Sequence, residues 1–132
     1  AIDADLEHWA PGASREAASP AAAAYRERIV EASWGGALVA HHYTRYLGDL
    51  SGGQFIGKLM SRQFELGTNG IGFYVFDEIA DPAAFKDVYR EQLDAAPWDP
   101  AESERVIDEV LYAYQLNTDL FVDLADAKAA AA

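Results

Sequence analysis

The sequence predicts an all-α fold, and two observations lead to this prediction. A residue that can cap a helix stands directly before a proline three times along the chain, at Ser19-Pro20, Asp81-Pro82 and Asp99-Pro100. Proline suits the first position of a helix, where its missing N–H costs nothing, and the preceding Ser or Asp can accept hydrogen bonds from the exposed amides. The apolar residues that follow recur with the helical period of 3.6. We therefore expect helices over residues 20–32, 82–95 and 100–125.

Apolar side chains mark the expected core face of the last two helices. In the first of them this face comprises Phe85, Val88, Tyr89 and Leu93. In the second it comprises Ile107, Val110, Leu111, Tyr114, Phe121 and Leu124. The alanine-rich end, residues 127–132, is expected to be a frayed tail. A short apolar run at residues 73–76 could form a strand, but it has no partner strand, so we expect extended or helical packing there.

Length and composition limit the class of protein. With 132 residues the chain is expected to form a single domain over residues 1–132. Its 22 acidic and 10 basic residues give a formal net charge of -12, which argues against nucleic acid or an anionic membrane as a partner. No stretch approaches the roughly 18 apolar residues of a membrane span. The absence of cysteine excludes disulfides, thiolate metal sites and cysteine nucleophiles, and it fits a cytoplasmic protein.

The most unusual segment is the longest candidate helix, residues 36–66, which contains the string GDLSGGQFIG at residues 48–57. Each glycine inside a helix costs roughly 0.5–1 kcal/mol relative to alanine, so these glycines are expected to bend or break the helix. Glycine also lets the backbone approach a flat ligand closely. On a helical wheel four residues share one face and would form a bare backbone ledge with polar borders: His41, Arg45, Gly48 and Gly52.

Two other interpretations of this segment follow from the residues alone. The glycines could simply allow tight helix–helix packing. Alternatively, residues 50–54 spell LSGGQ, the string of the signature motif in ATP-binding-cassette ATPases, and residues 52–59 nearly spell a phosphate-binding loop. Nucleotide binding fails on chemistry, because Leu59 stands where a hydroxyl must reach Mg²⁺ and no strand precedes the glycines.

The string ALVAHHYTRYLGDLSGGQ at residues 37–54 resembles the distal-helix motif of haem oxygenases of the bacterial, biliverdin-producing type. The resemblance continues at FKDVYR, residues 85–90, and at LNTDLFVDL, residues 116–124. It implies a multi-helix bundle in which a proximal helix and a glycine-kinked distal helix clamp haem. It also implies that haem is both substrate and cofactor. Dioxygen and an electron donor of the ferredoxin or reductase type would open its ring to biliverdin, carbon monoxide and iron.

The resemblance implies a catalytic role for residues of the distal motif. Gly48 and Gly52 would lie against the distal face of haem, where a larger side chain would occupy the oxygen site. Asp49 would hold a water that hydrogen-bonds to bound dioxygen. Arg45, four residues earlier, would pair with Asp49 and orient it, although in an arbitrary helix this spacing is typical of a surface ion pair. Ser51 would assist the same network.

Other positions match the family's haem contacts. By resemblance, Tyr43, Lys86 and Arg90 would bind the haem propionates. Lys86 and Arg90 are one helical turn apart, and two cations in so acidic a chain suit a dianionic partner. Without the motif they would be interpreted as solvated charges. Phe73 and Tyr114 could line the haem pocket, although aromatic residues on a helical stripe are more often part of the core.

The axial ligand of the iron is not expected within this chain. The family's proximal histidine lies near the start of the full-length protein, and His8, His41 and His42 do not match its motif. His8 is expected to be an exposed residue at a helix end, and Asn117 is expected to form hydrogen bonds in the core. The chain thus resembles the C-terminal part of a haem oxygenase, which would need an N-terminal segment or chain. The alternative is a non-catalytic haem- or bilin-binding helical module, or an inactive fragment.

Overall fold

The computed structural model describes residues 1–14 and 19–131, and every regular element in them is helical. The α-helices are α1 (Ile2–Trp9), α2 (Pro20–Glu31), α3 (Gly35–His42), α4 (Gln54–Gln63), α5 (Pro82–Asp94) and α6 (Pro100–Ala130). Between α3 and α4 lie two π-helical segments, Tyr43–Leu47 and Asp49–Gly53, and a 3₁₀ turn at Gly72–Tyr74 precedes α5. The predicted all-α fold is confirmed.

The three predicted helix caps form as the sequence indicates. The Ser19 hydroxyl accepts from the Ala22 amide at 3.0 Å, and the Asp99 carboxylate accepts from the Glu102 amide at 2.8 Å. The Asp81 carboxylate accepts from two amides just downstream, each at 3.0 Å. These bonds satisfy amides that the first turn of a helix leaves without an intrahelical partner. They explain why α2, α5 and α6 begin where they do.

The predicted helix ends are less accurate than the starts. Helices α2 and α5 each stop one residue earlier than expected, and the glycine-rich helical region runs from Gly35 to Gln63. Helix α6 continues to Ala130, so the expected fraying is wrong for residues 127–130, and α6 is the longest helix in the described part of the chain. Alanine has the highest helix propensity, which favours this continuation. Ala132 lies outside the described residues.

The chain divides into two compact units. The first unit comprises Ala1–Arg15 and Tyr46–Ala96, and the second comprises Glu16–Arg45 and Pro97–Ala132. The expected single domain is not tested by this division and stays a prediction. Over residues 1–14 and 19–131, no helix combines the length and the apolar composition needed to cross a membrane.

In the second unit α6 packs against α2 and α3. Ala37 and Ala40 of α3 and Ala113 of α6 are each 0% exposed, so small side chains let the two helices approach closely. The buried face of α6 consists of Val106, Glu109, Ala113 and Leu116. The contact face of this helix is therefore made of small, medium-sized and charged side chains.

The predicted core face of α6 is wrong. Val110 is half-buried, and the other members of that face are exposed: Ile107, Leu111, Tyr114, Phe121 and Leu124. Apolar periodicity favours the face with the largest hydrophobic side chains, whereas alanines and a glutamate make the helix contact here. On α5 the predicted face is exposed at Val88 and half-buried at Phe85, Tyr89 and Leu93.

In the first unit α1 is anchored to the segment around the 3₁₀ turn. The Asp5 carboxylate accepts from the amides of Gly72 and Phe73 at 2.8 and 2.7 Å, and the Trp9 indole donates to the Gly70 carbonyl at 2.7 Å. Helix α1 has no side-chain cap, which explains why the capping pattern does not predict it. The apolar run at residues 73–76 forms part of the 3₁₀ turn and extended backbone, as expected.

The glycine-rich region remains helical, so of the expected bend or break it is the break that does not occur. Gly48 (φ −60°, ψ −51°) and Gly53 (φ −60°, ψ −41°) have ordinary right-handed helical backbones. The departure from an α-helix takes the form of the two π-helical segments, in which backbone hydrogen bonds span five residues instead of four. Such wide turns are frequent at functional sites.

Candidate functional site

Gly48 and Gly52 form an open strip of helix backbone, which we call the ledge. A Cβ atom added at either residue would meet no atom of the described residues within 4 Å, beyond its chain neighbours and its own helix backbone. Both glycines are exposed. A flat ligand can therefore reach the main chain here without displacing a side chain. This openness agrees with the bare ledge that the sequence predicts.

Gly53 and Gly57 have the opposite environment in the same unit. A Cβ atom at Gly57 would lie 2.8 Å from Cβ of Tyr74, and one at Gly53 would lie 3.0 Å from Cδ1 of the same residue. Both glycines are buried, and they let the 3₁₀ turn pack directly onto the helix backbone. The two interpretations of the glycines, tight packing and an open ledge, thus apply to different pairs.

Two of the predicted site residues meet beside the ledge. The Lys86 ammonium, in the second turn of α5, donates to the Ser51 hydroxyl at 3.2 Å. Ser51 immediately precedes Gly52, so this bond places a cation next to the ledge. Arg90 lies one turn further along α5, where its half-exposed guanidinium donates to Asp87 at 3.2 Å.

Aromatic rings position α5 in the first unit. The Tyr46 ring lies 6.0 Å from the ring of Phe85 and 5.7 Å from that of Phe76, centroid to centroid. Phe85 in turn lies 6.3 Å from Tyr89. Phe85 directly precedes Lys86 in the chain. This aromatic cluster therefore helps to fix the Lys86 ammonium relative to the ledge.

In the second unit a polar network surrounds Asn117 of α6. Its side-chain oxygen accepts from Arg45 Nη1 at 2.7 Å. Its amide nitrogen donates to the Ala113 carbonyl at 2.8 Å and to Tyr25 Oη at 3.5 Å. The expected internal hydrogen bonding of Asn117 is confirmed. The pairing of Arg45 with Asp49 stays a prediction.

An ion pair between the buried Glu109 and the partly exposed Arg28 joins three helices of the second unit through His41. The Glu109 carboxylate of α6 accepts from Nε and Nη2 of Arg28 on α2, the first at 2.8 Å, and lies 3.0 Å from Nε2 of His41 on α3. The side chains of Glu109 and His41 are 4% and 6% exposed. Hydrogen bonds from Arg28 hold the pKa of the Glu109 carboxyl below its ordinary value. Burial opposes this lowering, and the charge of Arg28 and the bond from His41 add to it.

The helical wheel places His41 wrongly. It groups this residue with Arg45, Gly48 and Gly52, but His41 is buried against Glu109. The π-helical segments change the number of residues per turn, so a wheel drawn with the α-helical period does not hold across them. The sequence signal that could have revealed the buried pair is a single acidic residue within an otherwise small and apolar stripe of α6.

The other predicted site residues occupy partly exposed positions. Tyr43 and Asp49 are half-buried, and Tyr114 is 52% exposed on α6. Phe73 is half-buried and lines a cleft of about 310 Å³ in the first unit. His8 lies in the last turn of α1 and is exposed, as expected. The roles of these residues toward haem stay predictions.

The fold and the ledge define a class, namely an all-helical protein whose glycine-rich helix has an exposed strip of backbone. A family model described as "Heme oxygenase" matches residues 1–123. The chain belongs to the haem oxygenase family.

Curated relatives agree with this assignment. The chain is 44% identical over 108 residues to "Heme oxygenase 1" of Synechocystis sp., with 80% of this chain and 45% of the relative covered. It is 38% identical over 132 residues to "Heme oxygenase 1" of Homo sapiens, with 96% of this chain and 46% of the relative covered. The chain thus spans about half the length of the curated relatives that it matches.

Solved structures resemble the chain closely. The crystal structure of heme oxygenase-1 from Synechocystis sp. in complex with heme matches with a TM-score of 0.84 at 38% identity, covering 98% of this chain and 61% of that chain. Heme oxygenase-2 from the same organism, in complex with heme and NO, matches with a TM-score of 0.84 at 35% identity, covering 98% and 57%. The family and the fold predicted from the sequence are confirmed.

Proposed function

We propose that this protein is a haem oxygenase, which opens the haem ring to biliverdin, carbon monoxide and ferrous iron with dioxygen and a reductant. The observation that carries the proposal is the ledge, Gly48 and Gly52, with the Lys86 ammonium beside it at Ser51. Family membership and the haem bound in two solved relatives support it.

The ledge and its border fit haem in shape and in charge. Haem is a flat ring with two propionate groups, and an open strip of backbone can lie against a flat face. Lys86 and Arg90, one turn apart on α5, are suited to bind two carboxylates through charge-assisted hydrogen bonds. Phe73 would add an apolar wall. Tyr43 and Tyr114 belong to the second unit. Propionate binding by Tyr43 and lining of the haem pocket by Tyr114 stay predictions.

The axial ligand of the iron is assigned to no residue of this chain. Nε2 of His41 is engaged by Glu109 at 3.0 Å, and His8 lies exposed at the end of α1. We therefore propose that an N-terminal segment or a second chain supplies a proximal histidine.

The residues of the distal motif would bind and orient the reactants. When bound, haem supplies both the iron that activates dioxygen and the ring that is opened. The ledge keeps side chains out of the space that dioxygen needs. The Asp49 carboxylate, adjacent to Gly48 in the chain, would hold a water and pass a proton through it. Arg45, which is bound by Asn117 at 2.7 Å, would orient that carboxylate, and Ser51 would hold the Lys86 ammonium.

The proposal includes an electron donor of the ferredoxin or reductase type and a cytoplasmic location. Opening the haem ring consumes electrons as well as dioxygen, so a donor is required by the reaction itself. The formal net charge of -12 means that an acidic donor would need a local basic surface for docking. The lack of cysteine supports a reducing compartment.

The deciding assay supplies the protein with haemin, dioxygen and a reductant, and follows the Soret band together with bilin absorption. We expect the Soret band to fall while a bilin band rises. Loss of the Soret band without any bilin product would overturn the oxygenase proposal. Stable haem binding without turnover would instead support the non-catalytic haem-binding module.

A single substitution separates haem binding from ring opening. Asp49→Ala should keep the affinity for haem and lower the bilin yield about a hundredfold, because the proton-holding group is lost. The matched control is Asp94→Ala, which removes an exposed carboxylate at the end of α5 and should change neither quantity. An unchanged bilin yield in Asp49→Ala would remove Asp49 from its proposed role.

A further inference from the structure

Glu109 is a buried acid for which the proposed reaction has no use. Its side chain is 4% exposed, and it is bound by Arg28 of α2 and His41 of α3. Taking the Glu109 carboxylate out of water costs on the order of several kcal/mol, and apolar residues of similar volume often serve stability equally well. A cluster of this kind on the contact face of α6 therefore needs a reason other than stability.

Glu109 determines how the imidazole of His41 is oriented. A carboxylate only accepts hydrogen bonds, so Nε2 of His41 carries a proton in this contact. Nδ1 is buried and has no hydrogen-bond partner among the described residues. The imidazole ring is therefore hydrogen-bonded through Nε2, to Glu109. The Tyr25 ring packs 5.4 Å from the imidazole, centroid to centroid. Arg28 supplies the positive charge that balances Glu109.

His41 stands at the start of the segment that carries two predicted site residues. It lies in the last turn of α3, and Tyr43 and Arg45 follow in the first π-helical segment. Arg45 donates to Asn117, which is eight residues after Glu109 on α6. Polar side chains of α6 thus hold this stretch of chain at two points.

Apart from Glu109, small side chains make much of the contact between α3 and α6, with Val106 of α6 lying against Gly36 of α3. The contact includes Ala37, Ala40 and Ala113, each 0% exposed. Helix packing selects its geometry through ridges of side chains that fit into grooves, and alanine ridges are shallow. They allow a close approach but specify poorly how far one helix is shifted along the other. A directional hydrogen bond to a buried carboxylate supplies that register, which is a well-attested use of buried polar groups.

We propose that Glu109 is a positioning residue, which fixes the register of α3 on α6 through His41 and so sets where Tyr43 and Arg45 lie. Arg28 is the counterion that makes a buried carboxylate tolerable at this position. The inference rests on the proposed haem oxygenase function, because it concerns residues assigned to propionate binding and to the orientation of the distal carboxylate.

The test compares Glu109→Met with the double variant Arg28→Met/Glu109→Met. Glu109→Met alone leaves a guanidinium and an imidazole without their acceptor, so it should lower the unfolding midpoint. The double variant removes the buried carboxylate together with its partly exposed counterion and replaces them with apolar volume. The unfolding midpoint should therefore recover most of what Glu109→Met loses. If Glu109 positions the segment, kcat for haem ring opening stays about tenfold below that of the wild type even in the double variant.

The matched control is Asp123→Asn, which also neutralises a carboxylate on α6. Asp123 accepts from Ser19 Oγ at 2.6 Å and from the Ala21 amide at 2.9 Å, so it ties the start of α2 to α6. These contacts do not involve α3. Asp123→Asn should therefore lower the unfolding midpoint and leave kcat unchanged.

Side-chain ¹⁵N NMR tests the register without turnover. The wild type should show His41 protonated at Nε2 and a distinct Arg45 guanidinium signal. Both signals should change in the double variant, and Glu109→Gln, which keeps an acceptor oxygen, should restore them in part. Normal kcat in the double variant, or an unchanged Arg45 signal, would overturn the proposal. If the wild type neither binds nor opens haem, the oxygenase proposal fails, while the NMR comparison still decides the role of Glu109.

Discussion

The two glycine pairs of the glycine-rich helix have opposite surroundings. Gly48 and Gly52 leave open space around their Cα atoms, whereas Gly53 and Gly57 press against the side chain of Tyr74. All four residues present hydrogen where another residue has a side chain. In one pair this exposes backbone, and in the other it shortens the distance to a neighbouring turn. Glycine enrichment in a helix is therefore not a single signal, because the surroundings decide what each glycine does.

The largest loss of stability is expected at the packed pair. In Gly57→Ala the new Cβ would lie 2.8 Å from Cβ of Tyr74, an atom attached directly to the backbone of the 3₁₀ turn. The turn must shift to relieve this contact. We expect the free energy of unfolding to fall by about 1–3 kcal/mol, as measured by urea denaturation. A stability equal to that of Gly48→Ala would contradict the distinction between the pairs.

The largest loss of haem binding is expected at the open pair. Gly52→Leu fills space that the described residues leave empty, so the fold should tolerate it. If the ledge receives haem, the leucine side chain overlaps the ring, and haem affinity should fall at least about tenfold in a Soret titration. Lys58→Leu, at another exposed position of the same unit, is the control. Wild-type affinity in Gly52→Leu would show that haem does not lie on the ledge.

A small gain of stability should result from the open pair. Gly48 has a helical backbone and free space at its Cβ position, so Gly48→Ala should raise the free energy of unfolding by about 0.5–1 kcal/mol. Gly53→Ala should show no such gain, because its Cβ would lie 3.0 Å from the Tyr74 ring. Equal changes of the same sign in the free energy of unfolding of these two variants would contradict the distinction between the open and the packed glycines.

The smallest effect is expected at the border of the ledge. Lys86→Ala removes a partly exposed cation 3.2 Å from Ser51, so haem affinity should fall roughly two- to fivefold. Salt should reduce the difference between this variant and the wild type, because the interaction with propionate is screened. Lys58→Ala removes an exposed cation of α4 and serves as the control. Equal affinities in the two variants would exclude Lys86 as a propionate ligand.

Local chemistry made the starts of α2, α5 and α6 predictable from the sequence. Ser19, Asp81 and Asp99 each accept from amides only two or three residues away, so the motif and the contact lie in one short stretch. Helix α1 offers no such motif. It is held by bonds from Trp9 and Asp5 to residues 61 and 67 positions away, and no local pattern encodes such distances.

The candidate site was predictable only as far as it depends on neighbouring residues. The ledge follows from the spacing of glycines within one helix, whereas the meeting of Ser51 with Lys86 depends on how α5 packs. Glu109 escaped prediction because periodicity ranks helix faces by hydrophobicity. The contact face of α6 carries alanine and a charge, while a more apolar face with Phe121, 72% exposed, lies outside the contact.

The second π-helical segment, Asp49–Gly53, has a consequence for how such a chain can vary. Each of its backbone hydrogen bonds spans one residue more than that of an α-helix. An insertion or deletion within residues 49–53 can thus be absorbed where it occurs, and it need not rotate α4 about its axis. The packing of Gly57 against Tyr74 can then stay the same in related sequences. The ledge can meanwhile become longer, become shorter or change its shape for a different ligand.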